Sequence, residues 1–138
     1  MGKSIRDLMS SNPCAIEADK PVAYAAKMMK QEDVGLAPIV EGDRLVGTLT
    51  DRDIVLRVVA EGKDPQTVTA REVASTDLIT IDPQQDLDEA LRLMASNQVR
   101  RLPVVEEGRL VGVLAQADVA REAKEKQTGQ LVEDISQP

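Results

Sequence analysis

The sequence predicts a mixed α/β (α+β) fold in which one small β-α-β-β-α unit is built twice. Residues 45–49 read Leu-Val-Gly-Thr-Leu, and residues 110–114, 65 positions later, read Leu-Val-Gly-Val-Leu. In both copies an apolar run containing Pro and a turn containing Gly come before this phrase, which is typical of a β-hairpin. An apolar stripe at i, i+3, i+4 and i+7 precedes each hairpin and indicates a helix.

The duplication covers most of the chain. At the 65-residue shift identical residues coincide without a gap: Arg6/Arg71, Ile16/Ile81, Ala25/Ala90, Met29/Met94, Pro38/Pro103, Arg44/Arg109, Gly47/Gly112 and Asp53/Asp118. We place repeat 1 at residues 4–62, repeat 2 at residues 69–126 and a polar tail at residues 127–138. One unit is too small to bury its own helices, so we expect the two to pack around a pseudo-two-fold axis.

Each element of repeat 1 has a local signal. Ser4 and Asp7 form a capping-box pattern, and the apolar stripe from Val22 to Met29 predicts a helix that Gly35 ends. Either Thr50 or Asp51 can cap the last helix. The predicted order is a helix at 4–9, a strand at 14–16, a helix from 22, strands at 37–40 and 45–50 around a turn at 41–43, and a helix to about 60.

Repeat 2 follows the same order. Thr69 with Glu72, and Asp86 with Glu89, are the capping patterns of its two first helices. The predicted elements are a helix starting at 69, a strand at 78–81, a helix from 86, strands at 102–105 and 110–114 that turn at 107–108, and a closing helix from 118 to about 126.

Composition excludes several function classes. The net charge is −7, with one Tyr and no Phe or Trp, so we expect no nucleic-acid partner, since such partners require clustered cations and aromatic stacking platforms. With no His and one Cys, a zinc site and His-based catalysis are disfavoured, and no nucleophile–base pair is evident, so we expect no enzyme.

Location is also constrained by the sequence. No apolar run is long enough for a membrane span, so we expect no membrane partner. The polar N-terminus lacks the apolar centre of a signal peptide, and a single Cys14 fits a reducing compartment. We therefore expect a cytoplasmic protein.

Three sequence features resemble tandem CBS domains, also called a Bateman module. They are the Pro-Ile-Val and Pro-Val-Val strands, the Leu-Val-Gly strands, and Gly47, Thr50 and Asp53 in the spacing Gly-x-x-Thr-x-x-Asp. The chain is similar to small stand-alone members of the family, including stress-response ones. The resemblance implies a non-catalytic regulatory module with no obligatory cofactor. Such a module binds an adenosine-containing ligand (AMP, ADP or ATP) between its repeats, forms a homodimer through its helices and signals to an effector protein.

The resemblance also implies a principal site. In it, Asp53 accepts hydrogen bonds from ribose hydroxyls, while Thr50 and the first helical N–H groups suit the adjoining phosphate. The purine would lie against repeat 2, with Arg100 or Arg101 as phosphate partner. The expected residues are Thr50, Asp53, Thr76, Asp77, Ile79, Val99, Arg100, Arg101 and Leu102.

A second, weaker site is implied on the opposite side. Its residues are Asn12, Pro13, Cys14, Val34, Gly35, Leu36 and Asp118. Ala115 stands there in place of Thr50, and no arginine matches Arg100 or Arg101. If only one site binds a nucleotide, we expect the Thr50 site.

Structural roles remain open for the same residues. Asp53 and Asp118 also suit the first turn of any helix, Arg100 and Arg101 can be solvated or ion-paired, and Cys14 can be a small core residue. The rival functional hypothesis is a ligand-free structural or interaction dimer with vestigial pockets.

Overall fold

A computed structural model describes residues 3–11 and 13–122, so Asn12 and the expected 127–138 tail lie outside it. Its strands are β1 (Ile16–Glu17), β2 (Leu36–Glu41), β3 (Arg44–Thr50), β4 (Arg101–Glu106) and β5 (Arg109–Ala115). Its helices are α1 (Ile5–Leu8), α2 (Val22–Glu32), α3 (Asp51–Ile54), α4 (Ala70–Val73), α5 (Leu87–Asn97) and α6 (116–122). In this part of the chain no helix combines the length and apolarity needed to cross a membrane.

The predicted α+β architecture and the duplication are confirmed. The sheet order is β1-β2-β3-β5-β4, with antiparallel hairpins β2–β3 and β4–β5 and with β1 parallel to β2. The two hairpins pair at Arg44 and Arg109, which are equivalent residues of the two repeats, and the Leu110 N–H donates to the Asp43 carbonyl at 2.9 Å. The sheet is therefore two small sheets joined at the pseudo-two-fold axis.

Four predicted boundaries were wrong. The strand expected at 78–81 is reduced to one parallel bridge between Ile81 and Val104, and the strand expected at 14–16 begins only at Ile16. Helix α2 ends at Glu32, because Asp33 adopts a left-handed conformation with φ 55° before Gly35 is reached. Helix α6 begins at residue 116, directly after β5, so Asp118 lies inside its first turn.

The segment after α3 is a π-helix, Val55–Val59, in which the Ala60 N–H donates to the Val55 carbonyl at 2.9 Å. This wider turn buries Val58 in the core. Val55, Leu56 and Val59 remain exposed. Single π-turns are uncommon and frequently mark functional positions.

The two cores exchange their first helices. One core combines Val22, Ile39, Leu49 and Val58 of repeat 1 with Val73 of α4, at the start of repeat 2. The other combines Ile81, Met94, Leu102 and Leu114 of repeat 2 with Ile5 of α1, at the start of the chain. Each packing unit therefore includes a helix that belongs to the other sequence repeat, and the units do not coincide with the 4–62 and 69–126 repeats.

Equivalent hydrogen bonds hold the exchanged segments. Ser10 and Val113 exchange two backbone bonds of 2.8 and 3.0 Å, and Ser75 and Thr48 exchange two of 2.8 and 2.9 Å. The exposed ion pairs Arg6–Glu106 and Arg71–Glu41 are likewise equivalent. Exposed ion pairs contribute little to the free energy of folding, so the exchanged segments are held mainly by buried apolar contacts and by backbone hydrogen bonds.

Two glycines permit this close approach. A Cβ on Gly112 would lie 2.7 Å from both the Met9 sulfur and the Ser10 carbonyl oxygen. A Cβ on Gly47 would lie 3.0 Å from the Ala74 Cβ and 3.1 Å from the Ser75 carbonyl oxygen. Gly is required at both positions because the backbone of β3 or β5 directly contacts the backbone of the exchanged segment.

We predict that Gly112→Ala lowers the free energy of unfolding by about 1–3 kcal/mol, because the added methyl group overpacks a contact made by backbone. Gly47→Ala should cost less, since its contacts are longer. The measurement is the urea midpoint at unchanged m-value. Gly35→Ala is the matched control, because its Cβ would meet only the Asp51 side chain, at 3.4 Å. Equal stability of the Gly112 and Gly35 variants would contradict the close approach.

Candidate functional site

The junction between β3 and α3 is built by a capping box. The Thr50 hydroxyl accepts a hydrogen bond from the Asp53 N–H at 3.0 Å, and Asp53 Oδ2 accepts one from the Thr50 N–H at 2.9 Å. The other oxygen, Oδ1, lies 3.7 Å from the Arg57 guanidinium. Thr50, not Asp51, is therefore the cap, and both Thr50 and Asp53 have a structural role.

Each junction is tied to the segment that enters its own hairpin. The Asp51 N–H donates to the Gly35 carbonyl at 3.0 Å, and the equivalent Gln116 N–H donates to the Arg100 carbonyl at 2.7 Å. The pseudo-two-fold axis therefore places two strand-to-helix junctions and two hairpin entrances around one space.

That space is a cavity of about 770 Å³ between the repeats, which we call the central cavity. This volume lies within the range typical of small-molecule sites. Repeat 1 contributes Gly35, Leu36, Thr50, Asp51 and Arg52. Repeat 2 contributes Gln98, Val99, Arg100, Arg101, Ala115, Gln116, Ala117 and Ala120.

Cations dominate the charged groups of the cavity. Arg52, Arg100 and Arg101 line it, and among the described residues no ion pair involves any of the three. Asp51 is the one carboxylate among the lining residues. Its Oδ1 accepts a hydrogen bond from the Arg52 N–H at 2.8 Å. A small anion is the ligand that this arrangement favours.

The cavity gathers part of each expected site into a single space. Thr50, Val99, Arg100 and Arg101 of the principal site line it together with Gly35 and Leu36 of the weaker site. Residues expected in two separate sites therefore line one space in this geometry.

Other expected residues do not line the cavity. Of the principal site, Asp53 caps α3, Leu102 and Ile79 pack in the second core, and Thr76 and Asp77 are exposed beyond Ser75. Of the weaker site, Cys14 and Val34 pack against the first core, Pro13 is half-buried, and Asp118 lies 3.5 Å from Arg121.

Sequence reasoning missed Asp51, Arg52, Gln98, Gln116, Ala117 and Ala120 as lining residues. The sequence could have indicated these residues, because they are close neighbours in the chain of residues that were predicted to form the two sites. Arg52 corresponds to Ala117, and Asp51 to Gln116. They are identified as lining residues only because both strand-to-helix junctions border the same cavity in the structure.

Neither a metal nor a reactive thiol is indicated. The described residues hold no cluster of three metal-ligating side chains. Burial, with a smaller effect from the nearby Glu32 carboxylate, raises the pKa of the Cys14 thiol above its usual value. Cys14 thus behaves as a packing residue near neutral pH.

Comparisons with known proteins agree with the duplication. The family model "CBS domain" matches residues 5–60 and again residues 70–125. CBS domain-containing protein YhcV of Bacillus subtilis is 44% identical over 117 residues, covering 85% of this chain and 83% of YhcV. Hypoxic response protein 1 of Mycobacterium tuberculosis is 40% identical over 134 residues, covering 96% of this chain and 94% of that protein.

Solved structures share the fold. The crystal structure of Hypoxic Response Protein I, which has two coordinated zinc ions, matches with a TM-score of 0.80 at 41% identity over 86% of this chain and 98% of that one. The CBS domain pair of protein MJ0100, in complex with 5′-methylthioadenosine and S-adenosyl-L-methionine, matches with a TM-score of 0.78 at 25% identity over 91% of this chain and 99% of that one.

Without His and with one Cys, this chain lacks the side chains for a His/Cys zinc site.

We predict that Thr50→Ala lowers the free energy of unfolding of ligand-free protein by about 0.5–2 kcal/mol, the usual loss for an N-cap. Thr50→Ser is the matched control, because it keeps the hydroxyl acceptor for the Asp53 N–H. Chemical denaturation of both variants is the measurement. If Ala and Ser variants were equally stable, Thr50 would have no capping role.

Proposed function

Because this chain belongs to the CBS domain family, as a tandem pair, we propose that it is a regulatory module that binds an adenosine-containing nucleotide in the central cavity and passes its binding state to a partner protein. CBS pairs are typically regulatory, ligand-binding modules. The observation that carries the proposal is the central cavity itself, which Thr50, Arg52, Arg100 and Arg101 line together with small apolar residues.

The chemistry of the cavity supports a nucleotide. Arg100 and Arg101 supply planar donors suited to phosphate oxygens. Leu36 and Ala115 offer apolar surface for a purine. The complex of MJ0100 with two adenosine-containing ligands shows that a CBS pair of this fold accommodates that class.

Asp53 does not line the central cavity but is hydrogen-bonded to Thr50, which does, so the proposed ribose contact requires a ligand that reaches the capping box and a carboxylate shared with it. Oδ2 already accepts the Thr50 N–H, which leaves Oδ1 and the remaining lone pairs for ribose hydroxyls. Binding would therefore also tighten the capping box at the start of α3. The same atoms support the rival, ligand-free reading, because the cap alone explains why Thr50 and Asp53 stand there.

The position of the cavity between the two repeats provides a mechanism for signalling. A ligand that touches both repeats binds most tightly when their separation suits it, so its affinity for one arrangement stabilises that arrangement. The exchanged helices α1 and α4 connect the repeats. A change in their relative position is the state that a partner protein would read.

We predict that AMP, ADP or ATP binds with measurable heat in calorimetric titration, with S-adenosylmethionine tested in parallel. Asp53→Asn should weaken nucleotide binding more than the equivalent Asp118→Asn. Asn keeps an oxygen that can accept the capping N–H, so the Asp53 variant should still fold. No heat and no thermal shift with any of these ligands at millimolar concentration would favour the ligand-free reading.

We also propose a homodimer that forms through the helices. Four of the five large exposed apolar side chains among the described residues belong to helices of repeat 1, three of them to the π-helix: Tyr24 (41% exposed), Val55 (55%), Leu56 (46%) and Val59 (68%). The positions in repeat 2 that correspond to Val55 and Leu56 are Ala120 and Arg121. Most soluble oligomers are two-fold dimers, and an apolar helix face is typically buried in one.

We predict that Leu56→Arg, which installs the residue found at the equivalent position of repeat 2, converts the dimer to a monomer because it places a charge in the apolar face. Leu78→Arg is the matched control: Leu78 is 40% exposed but follows α4 in repeat 2, outside α2 and the π-helix. Sedimentation velocity gives the measurement. Wild-type sedimentation of the Leu56 variant, or a monomeric wild type, would contradict the proposed interface.

A further inference from the structure

We infer that Arg57 is a positioning residue that ties the exchanged helix α4 to the capping box of α3, and that within the described residues α1 has no equivalent tie. This arrangement makes α4, rather than α1, the exchanged helix that responds to a change at the Asp53 carboxylate. The inference goes beyond the proposed function, because it concerns the ligand-free chain and does not depend on nucleotide binding.

The Arg57 guanidinium contacts two elements from its place in the π-helix Val55–Val59. Its Nη1 donates a hydrogen bond of 2.8 Å to the carbonyl of Val73, the last residue of α4. Its Nη2 lies 3.7 Å from Asp53 Oδ1, while Asp53 Oδ2 accepts the Thr50 N–H. One side chain therefore connects the end of α4 to the capping box of α3.

Both groups that Arg57 contacts need a partner. The last four carbonyls of a helix have no partner within it, and α4 has only four residues. A cationic donor at the Val73 carbonyl satisfies one of them, which stabilises the helix end. The Asp53 side chain is only 17% exposed, so water compensates its charge incompletely. Loss of the guanidinium would leave the carbonyl and the carboxylate without this shared cation.

The two repeats differ at the position of Arg57. Glu122 is the equivalent residue, and an ionised carboxylate cannot donate to a carbonyl. Glu122 Oε1 instead accepts a hydrogen bond from the Lys3 N–H at 3.3 Å, just before α1 begins. The carboxylate of Asp118, equivalent to the one that Arg57 contacts, lies 3.5 Å from Arg121 of its own helix. The same position therefore holds α4 at its end but holds α1 at its beginning.

Hydrogen exchange of the ligand-free full chain, followed by NMR, tests the inference. The Ala74 N–H donates to the Ala70 carbonyl at 3.0 Å and reports on α4. The equivalent Met9 N–H donates to the Ile5 carbonyl at 2.9 Å and reports on α1. We expect Arg57→Met to speed exchange at Ala74 about tenfold, the lower end for loss of a hydrogen bond from a charged donor, and to leave Met9 unchanged. Equal acceleration at both amides would be general destabilisation and would overturn the inference.

Two further variants isolate the hydrogen bond. Glu122→Met is the matched control, because it removes the charged side chain at the equivalent position, and it should leave exchange at Ala74 unchanged. Acceleration there equal to that of Arg57→Met would overturn the specific role of Arg57. Arg57→Lys keeps a cation and a donor, so it should speed exchange at Ala74 by less than Arg57→Met. Equal acceleration by these two variants would overturn the bond to the α4 carbonyl as the cause.

Asp53→Asn tests the link to the capping box. Asn keeps an acceptor for the Thr50 N–H but removes the charge beside Arg57. We expect this change to speed exchange at Ala74 about threefold in the wild-type background, as for a partly exposed ion pair. It should have no further effect in the Arg57→Met background, because groups that act through one contact are not additive. Equal acceleration in both backgrounds would overturn the link between Asp53 and α4.

Discussion

The exchange of α1 and α4 between the two cores is the contact on which the rest of the structure depends. Ile5 and Val73 are almost completely buried, each in the core of the opposite repeat. Removing either helix would leave an open apolar core, so neither repeat is complete alone. The exchange also fixes the pseudo-two-fold axis, and that axis brings the two strand-to-helix junctions together around the central cavity.

The two copies keep the same glycines where the exchanged segments cross but differ along the central cavity. Gly47 and Gly112, which allow backbone contact with the exchanged segments, are equivalent residues, whereas Ile5 and Leu8 of α1 correspond to Ala70 and Val73 of α4. The residues that line the cavity have diverged, as Arg52 and Ala117 illustrate. Close backbone contact admits only Gly at both crossings, whereas the side chains that line the cavity can differ between the copies.

Thr50 and Asp53 combine a structural and a proposed functional role. Their reciprocal hydrogen bonds satisfy backbone donors at the start of α3, which any short helix needs. A ligand at the same junction would bind to groups that are already held in position, so little side-chain entropy would be lost on binding. This explains how a capping motif can also be a recognition motif, and why the motif alone does not establish ligand binding.

The sequence by itself determined the duplication, the α+β class, both hairpins and the caps at Ser4 and Asp86, because these depend on local periodicity and on turn and capping chemistry. It left Thr50 and Asp51 open as the cap of α3, and the structure decided for Thr50. It did not determine that Leu78–Ile81 would pair through Ile81 alone, since strand length depends on neighbours. Nor did it reveal the helix exchange, the π-helix or the single cavity. The helix exchange and the central cavity depend on contacts between residues that are distant in the sequence, and a local pattern carries no information about them. Only the tertiary structure decided that Arg52 and Arg101 line one cavity and that Asp53 does not.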